Sequence, residues 1–185
     1  MEEIQRESIV RHSLRRATEE AVIIWALASA QYPVDHRAIQ EKATVMLIEA
    51  VSSFAINARR ALESVSGRSG INLVQPRWHW VPVKEGEVVK DLWDALNRVI
   101  HAKKLDVGWE TIPSNISVIA GGAVVVPYVQ AETDRRALAF IDPFAMAHAF
   151  LYNALPALDS RPNNAAHLQG SRSKNGCCCS THVAE

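Results

Sequence analysis

The chain has 185 residues, enough for one domain around one core, and its composition is ordinary for a globular protein, 48% apolar and 22% charged. Its formal net charge is zero, so no global field announces a nucleic-acid binder and any such contact must come from a local basic patch. The opening Glu2-Glu3-Ile4-Gln5-Arg6-Glu7 lacks the apolar core of a signal peptide, and the longest apolar runs, Ala21 to Ala30 and Ile116 to Val129, fall short of a membrane span; a cytoplasmic protein with no membrane contact is expected.

The first predicted element is a long helix from about Glu2 to Gln31, with Leu14, Ala17, Ala21, Ile24, Trp25 and Ala28 at helical spacing. Tyr32-Pro33-Val34-Asp35 ends it, because proline cannot continue the ladder and restrains the residue before it; Asp35 is the expected N-cap of the next helix. That second helix is predicted from about His36 to Val65, its stripe running through Ala43, Leu47, Ala50, Val51, Phe54, Ala58, Ala61 and Leu62 to Ser66-Gly67. Two long helices joined by a short turn make an antiparallel hairpin. Asn57, Arg59, Arg60 and Glu63 in its last turns either face water or meet the third helix.

From Gly67 to Val83 the pattern is that of a loop, with Trp78-His79-Trp80 at its centre. Two tryptophans flanking a histidine can stack on a base or cap a core. A third helix is predicted over about Glu87 to Lys103, ended by Gly108 and Pro113. A β-hairpin comes next, Ile116 to Gln130 and Arg136 to Ile141, turning at Ala131-Glu132-Thr133-Asp134, with Pro127 placed on an exposed edge and Gly121-Gly122 read as a bulge or bend. Asp142-Pro143 opens a last helix to about Leu158, with Asp142 as N-cap and His148 facing the core or an interface. Residues 161–185 turn small and polar and are expected to be a disordered tail. All three cysteines lie in it, as Cys177-Cys178-Cys179, so the fold is expected to hold no disulfide; three consecutive cysteines also lack the spacing of a zinc loop. No metal or cofactor is expected.

Chemistry concentrates on the third helix. Asn97 and His101 are four residues apart and Arg98 and His101 three apart, so all three lie at one edge of a helix whose Leu92, Leu96, Val99 and Ile100 form the core stripe. An imidazole there can act as acid, base or donor, and an arginine supplies a fixed charge for a phosphate. The structural alternative is a satisfied histidine on a half-buried helix. The other basic clusters, Arg11, Arg15 and Arg16, Arg59 and Arg60, and Lys103-Lys104, would favour RNA if the fold gathered them around His101 and disfavour it if acids intervened.

The stretch Leu92-x-x-Ala95-Leu96-Asn97-Arg98-Val99-Ile100-His101-Ala102, on a pattern of four helices with a hairpin before the last, resembles the HEPN-like helical-bundle proteins of bacteria over residues 1 to 158. That resemblance implies a mainly α, four-helix bundle that dimerises, in a superfamily whose active members are metal-independent ribonucleases of toxin, defence and RNA-processing systems. Their signature is an arginine five to seven residues before the histidine. Here Asp94, Ala95 and Leu96 occupy those positions; Arg6 with His12 and Arg161 with His167 fit the spacing, about as often as chance supplies. The expectation is an RNA- or nucleotide-binding protein centred on Asn97, Arg98 and His101, with a divergent ribonuclease activity as its catalytic form. The competing expectation is a non-catalytic dimerisation or protein-interaction module. Broad apolar stripes on the first two helices predict a homodimer in either case.

Overall fold

The structure, a computed structural model, describes residues 2–64, 70–82 and 84–159. The expected tail and its cysteines lie outside the described residues. The two long helices are as expected: α1 spans Glu2–Ser29 and α2 spans Arg37–Glu63. Ala17, Ala21, Ile24 and Ala28 of α1 are fully buried and face the alanine-rich stripe of α2. Small side chains on both sides let the helices approach closely along their length. The polar groups within this interface satisfy one another: Arg16 bridges to Glu20, and Ser53 donates to Glu20. Asp35 does not cap α2. The N-cap is His36, with no side-chain cap bond, and Ser64 closes the other end through its backbone N–H and hydroxyl to Ala61.

The turn after α1 is more than a break. Tyr32–Pro33 forms a short strand, β1, that pairs antiparallel with Ala123–Glu132, the later strand β4. Glu87–Val88, expected as the start of the third helix, is strand β2; the helix itself, α3, is shorter and runs Leu92–Ile100. Lys104–Ile112 is β3 and Ala139–Ile141 is β5. The predicted hairpin is present but short, β4 pairing antiparallel with β5 from Val129↔Ile141 to Ala131↔Ala139; the long partner of β4 is β3, which the sequence did not show, paired from Lys104↔Glu132 to Ile112↔Ala123, with residues 113–122 connecting the two. The apolar Ile116 and Val118 belong to that connection and are exposed, fastened by Gln31, which accepts from the Val118 N–H. Gly121 and Gly122, at φ +88° and +99°, make the bend into β4, a conformation that side-chain-bearing residues rarely adopt.

β4 is the centre of a mixed five-stranded sheet. β3 lies along one edge, while β1 and β5 share the other, and β2 joins β5 in parallel. Pro127 is thus buried in the central strand and not on an exposed edge. It is tolerated because the register shifts between Gly108 and Glu110, opposite it, and because β1 pairs only residues 123–124 and β5 only residues 129–131. The bulge has a visible consequence. Before it, Val124 and Val126 join the core under the helices; after it, Val129 and Ala131 do, so the inward parity inverts across one extra residue. Gly108, which looks like a breaker in sequence, sits where a Cβ would meet the Tyr128 ring at 2.1 Å.

The helices cover one face of the sheet. Residues 70–82 and 84–90 cover the other, with Trp78 against Ile112 and Val125, and Trp80 4.7 Å from the Tyr128 ring and 6.1 Å from Phe140. The Trp78 indole N–H donates to the Ala28 carbonyl at 2.7 Å, tying this cover to the end of α1. The last helical segment begins with α4, Pro143–Ala149, capped by Asp142, whose Oδ1 accepts the Ala145 N–H. It continues through a π-helical turn, Phe150–Ala154, into α5, Leu155–Asp159. The result is a predominantly helical domain with a mixed sheet. No helix among the described residues is long and apolar enough to cross a membrane.

Candidate functional site

α3 owes its position to the residue that precedes it. Asp91 Oδ1 accepts the Asp94 N–H at 3.0 Å, capping the helix, and its Oδ2 accepts the Gly70 N–H at 3.3 Å. Leu92, Ala95, Leu96 and Val99 are buried under α2, so the opposite edge, Asn97, Arg98 and His101, faces the connection between β4 and β5. His101 is the C-cap of the helix, and Lys103, two residues on, already donates its N–H to Glu132 to start the sheet. The helix end and the strand end are thereby held within a few residues of each other.

Between them lies a cleft of about 490 Å³, lined by Asn97, Arg98 and His101 on one side and Thr133, Asp134, Arg135 and Arg136 on the other. All three residues predicted from the sequence line it. Their environments differ. His101 is exposed and Asn97 half-buried, whereas Arg98 is only 4% exposed. The Arg98 guanidinium donates to Glu87 of β2 and to the Ala137 carbonyl at 3.1 Å, and lies 3.5 Å from Asp94. It ties α3 to β2 and to the β4–β5 connection. Arg136 pairs with Asp94 at 2.7 Å, and Lys103 pairs with Asp134. Arg135 is exposed and has no acidic partner among the described residues.

Two details of the lining bear on a ligand. The Thr133 hydroxyl is buried and makes no hydrogen bond among the described residues; the buried Arg98 Nε also completes no hydrogen bond among them, but it stands 3.5 Å from Asp94 Oδ2 in an ion pair. Native structures rarely leave a buried hydroxyl orphaned, so a polar partner for Thr133 is what the lining lacks. The α3 C-terminus works weakly the other way, since its carbonyl end favours cations by about 0.3–1 kcal/mol. Basic groups nevertheless outnumber acidic ones here: Arg98, Arg135, Arg136 and Lys103 against Glu87, Asp94 and Asp134.

The remaining basic clusters stay away from the cleft. Arg11, Arg15 and Arg16 pair with Glu7, Glu19 and Glu20 along α1, and Arg59 pairs with Glu63 while lying over the Trp93 ring. Asn57 donates to the Ser53 carbonyl. No group of three His, Cys, Asp or Glu side chains among the described residues is arranged to hold a metal ion. Sequence reasoning missed Thr133, Arg135 and Arg136, which it read only as a turn and the start of a strand; the Arg135-Arg136 pair beside a turn was the available signal. It also missed Glu87, whose role as the partner of Arg98 depends on the parallel pairing of β2 with β5. No family model, curated protein or solved structure matches this chain.

Proposed function

We propose that the cleft between α3 and the β4–β5 connection is the phosphate-binding site of a HEPN-like protein that binds RNA or a nucleotide. The buried Thr133 hydroxyl, without a hydrogen-bond partner among the described residues, beside the exposed Arg135 carries this reading. Phosphate oxygens accept several hydrogen bonds at once, and Arg135 is placed to add an unneutralised charge. Arg98 acts here as a positioning residue. Its charge is already matched by Glu87 and Asp94, so it shapes the wall and is not a free cation.

Cleavage of RNA needs more than binding: a base for the 2′-hydroxyl and a donor for the leaving oxygen. His101 and Asp134 are the cleft residues suited to proton transfer, but Asp134 is paired with Lys103, and no carboxylate orients His101 among the described residues. Binding with slow or no cleavage by the isolated chain is the expected behaviour. A divergent metal-independent ribonuclease, with His101 catalytic and a second protomer completing the site, is the stronger form of the same reading.

Fluorescence anisotropy with a labelled single-stranded RNA, in EDTA and over a salt series, tests it. Arg135→Ala should weaken binding and reduce the salt slope by about one phosphate contact. Thr133→Val, which removes the hydroxyl and keeps the volume, should weaken binding without destabilising the fold. If the wild-type protein neither binds nor cuts RNA under these conditions, the reading fails and His101 is structural.

The interaction-module reading draws on a different surface. Phe144, His148 and Tyr152 recur at four-residue spacing and stack with Trp25 of α1, His148 lying 5.5 Å from the Trp25 ring and 4.6 Å from Tyr152. Tyr152 is 62% and nearby Val22 56% exposed. An apolar, aromatic face of this kind suits a second copy of the chain, and light scattering at micromolar concentration reads it directly.

A further inference from the structure

A second cavity of about 490 Å³ lies between residues 72–82 and 88–90 and the start of α4. Its walls are Trp78, Trp80, Pro76 and Pro82, and Asp142 lies at its base. Asp142 is only 8% exposed. Its Oδ1 is used by the Ala145 N–H, but Oδ2 is buried and has no hydrogen-bond partner among the described residues. The neighbouring Trp80 side chain and Phe144 amide favour the ionised form without completing a bond of normal geometry to that oxygen. An ionised carboxylate in an apolar setting demands a donor or a cation.

We infer that this cavity is a binding site for a small organic ammonium ion with an apolar body, its nitrogen directed to Asp142 and its hydrocarbon held between Trp78 and Trp80. The inference is independent of the phosphate-site reading. Charge sets the sign, because the buried group is an acid; the indole faces suit a cation through their quadrupoles, and the prolines suit an apolar body. The walls are prearranged: Trp78 is fixed by its bond to Ala28, and Trp80 by packing on Tyr128 and Phe140. The Trp78 ring already holds one cation, with the Arg77 guanidinium 5.1 Å from its centroid. Lys90 and His79 also line the cavity, but both are exposed to solvent, where their charges are screened far more than that of Asp142.

Burial pushes the Asp142 carboxyl up to about 6, so the site is charged at pH 7.5 and mostly neutral at pH 5. Calorimetric titration of the full chain with phenethylammonium, and with the uncharged phenethyl alcohol for comparison, tests the site. The ammonium should bind at least about tenfold more tightly than the alcohol at pH 7.5, and its affinity should fall about tenfold at pH 5, following the ionised fraction. Asp142→Asn keeps an N-capping side chain and should abolish the preference for the ammonium. His79→Gln should leave the pH dependence in place, which separates Asp142 from that imidazole. Equal binding of amine and alcohol by the wild type, no binding of the amine at millimolar concentration, or an unchanged preference in Asp142→Asn would each overturn the inference. Should Asp142→Asn fail to fold, the wild-type comparison of the two ligands across pH decides alone.

Discussion

Replacing Arg98 by Met separates a residue that holds the site from one that contacts ligand. Methionine keeps most of the buried stem and removes the guanidinium, so the loss is that of its polar contacts. These are a charge-assisted bond to Glu87, a bond to the Ala137 carbonyl at 3.1 Å, and an ion pair with Asp94 at 3.5 Å. Hydrogen bonds to charged groups are worth about 1.5–3 kcal/mol. The figure is not multiplied by three, because Glu87 is 54% and Asp94 31% exposed and water takes over much of what they lose. No charge is left stranded in the interior, so the larger penalty for breaking a fully buried pair does not apply. The expected cost is about 2–3 kcal/mol, or roughly 4–12 °C in Tm for a domain of this size. Arg135→Ala, an exposed residue, should change stability by less than about 0.5 kcal/mol. Urea and thermal unfolding followed by circular dichroism read both. A fully stable Arg98→Met protein would refute the assignment of Arg98 as a tie between α3, β2 and the β4–β5 connection; if that stable variant had also lost RNA binding, Arg98 would be a direct contact.

Gly108→Ala should destabilise by at least about 1–3 kcal/mol, since its Cβ would enter a Tyr128 ring held between Trp80 and Phe140, and Tyr128→Ala should recover part of the loss in a double-mutant cycle by unfolding. Trp78→Phe keeps the aromatic cover but loses the 2.7 Å bond to Ala28, with an expected cost of about 1–2 kcal/mol in urea titration. The Asp142 carboxyl, raised to about 6 when folded, binds its proton more tightly in the native than in the unfolded state. Its contribution is therefore fully present below about pH 4 and is lost as pH rises through 6, by up to about 3 kcal/mol. The stability of Asp142→Asn relative to wild type should accordingly improve between pH 4 and pH 7, and a difference independent of pH would contradict the buried-acid assignment.

Sequence alone determined the parts of this protein whose physics is local. The α1–α2 hairpin was legible because an apolar residue every third or fourth position over some 27 residues is compatible with little but an amphipathic helix. The Asp142-Pro143 start of the last helix was legible because cap and first turn are set within four residues. Asn97, Arg98 and His101 were legible as neighbours for the same reason of helical spacing. Tertiary structure decided the rest. β3 was hidden by Gly108 and by charged residues, and became a strand only because Tyr128 of β4 fills the space that a side chain at 108 would occupy. Pro127 could enter a central strand only because a bulge on one side and a gap between β1 and β5 on the other demand no N–H from it. β2, two residues long, exists through its parallel partner and has no local signal, yet it brings Glu87 to Arg98 and so decides that the most conspicuous cation of the sequence is neutralised. Whether a charged side chain is free or matched depends on what lies across space from it, and that pairing is not written in the spacing of residues along one helix.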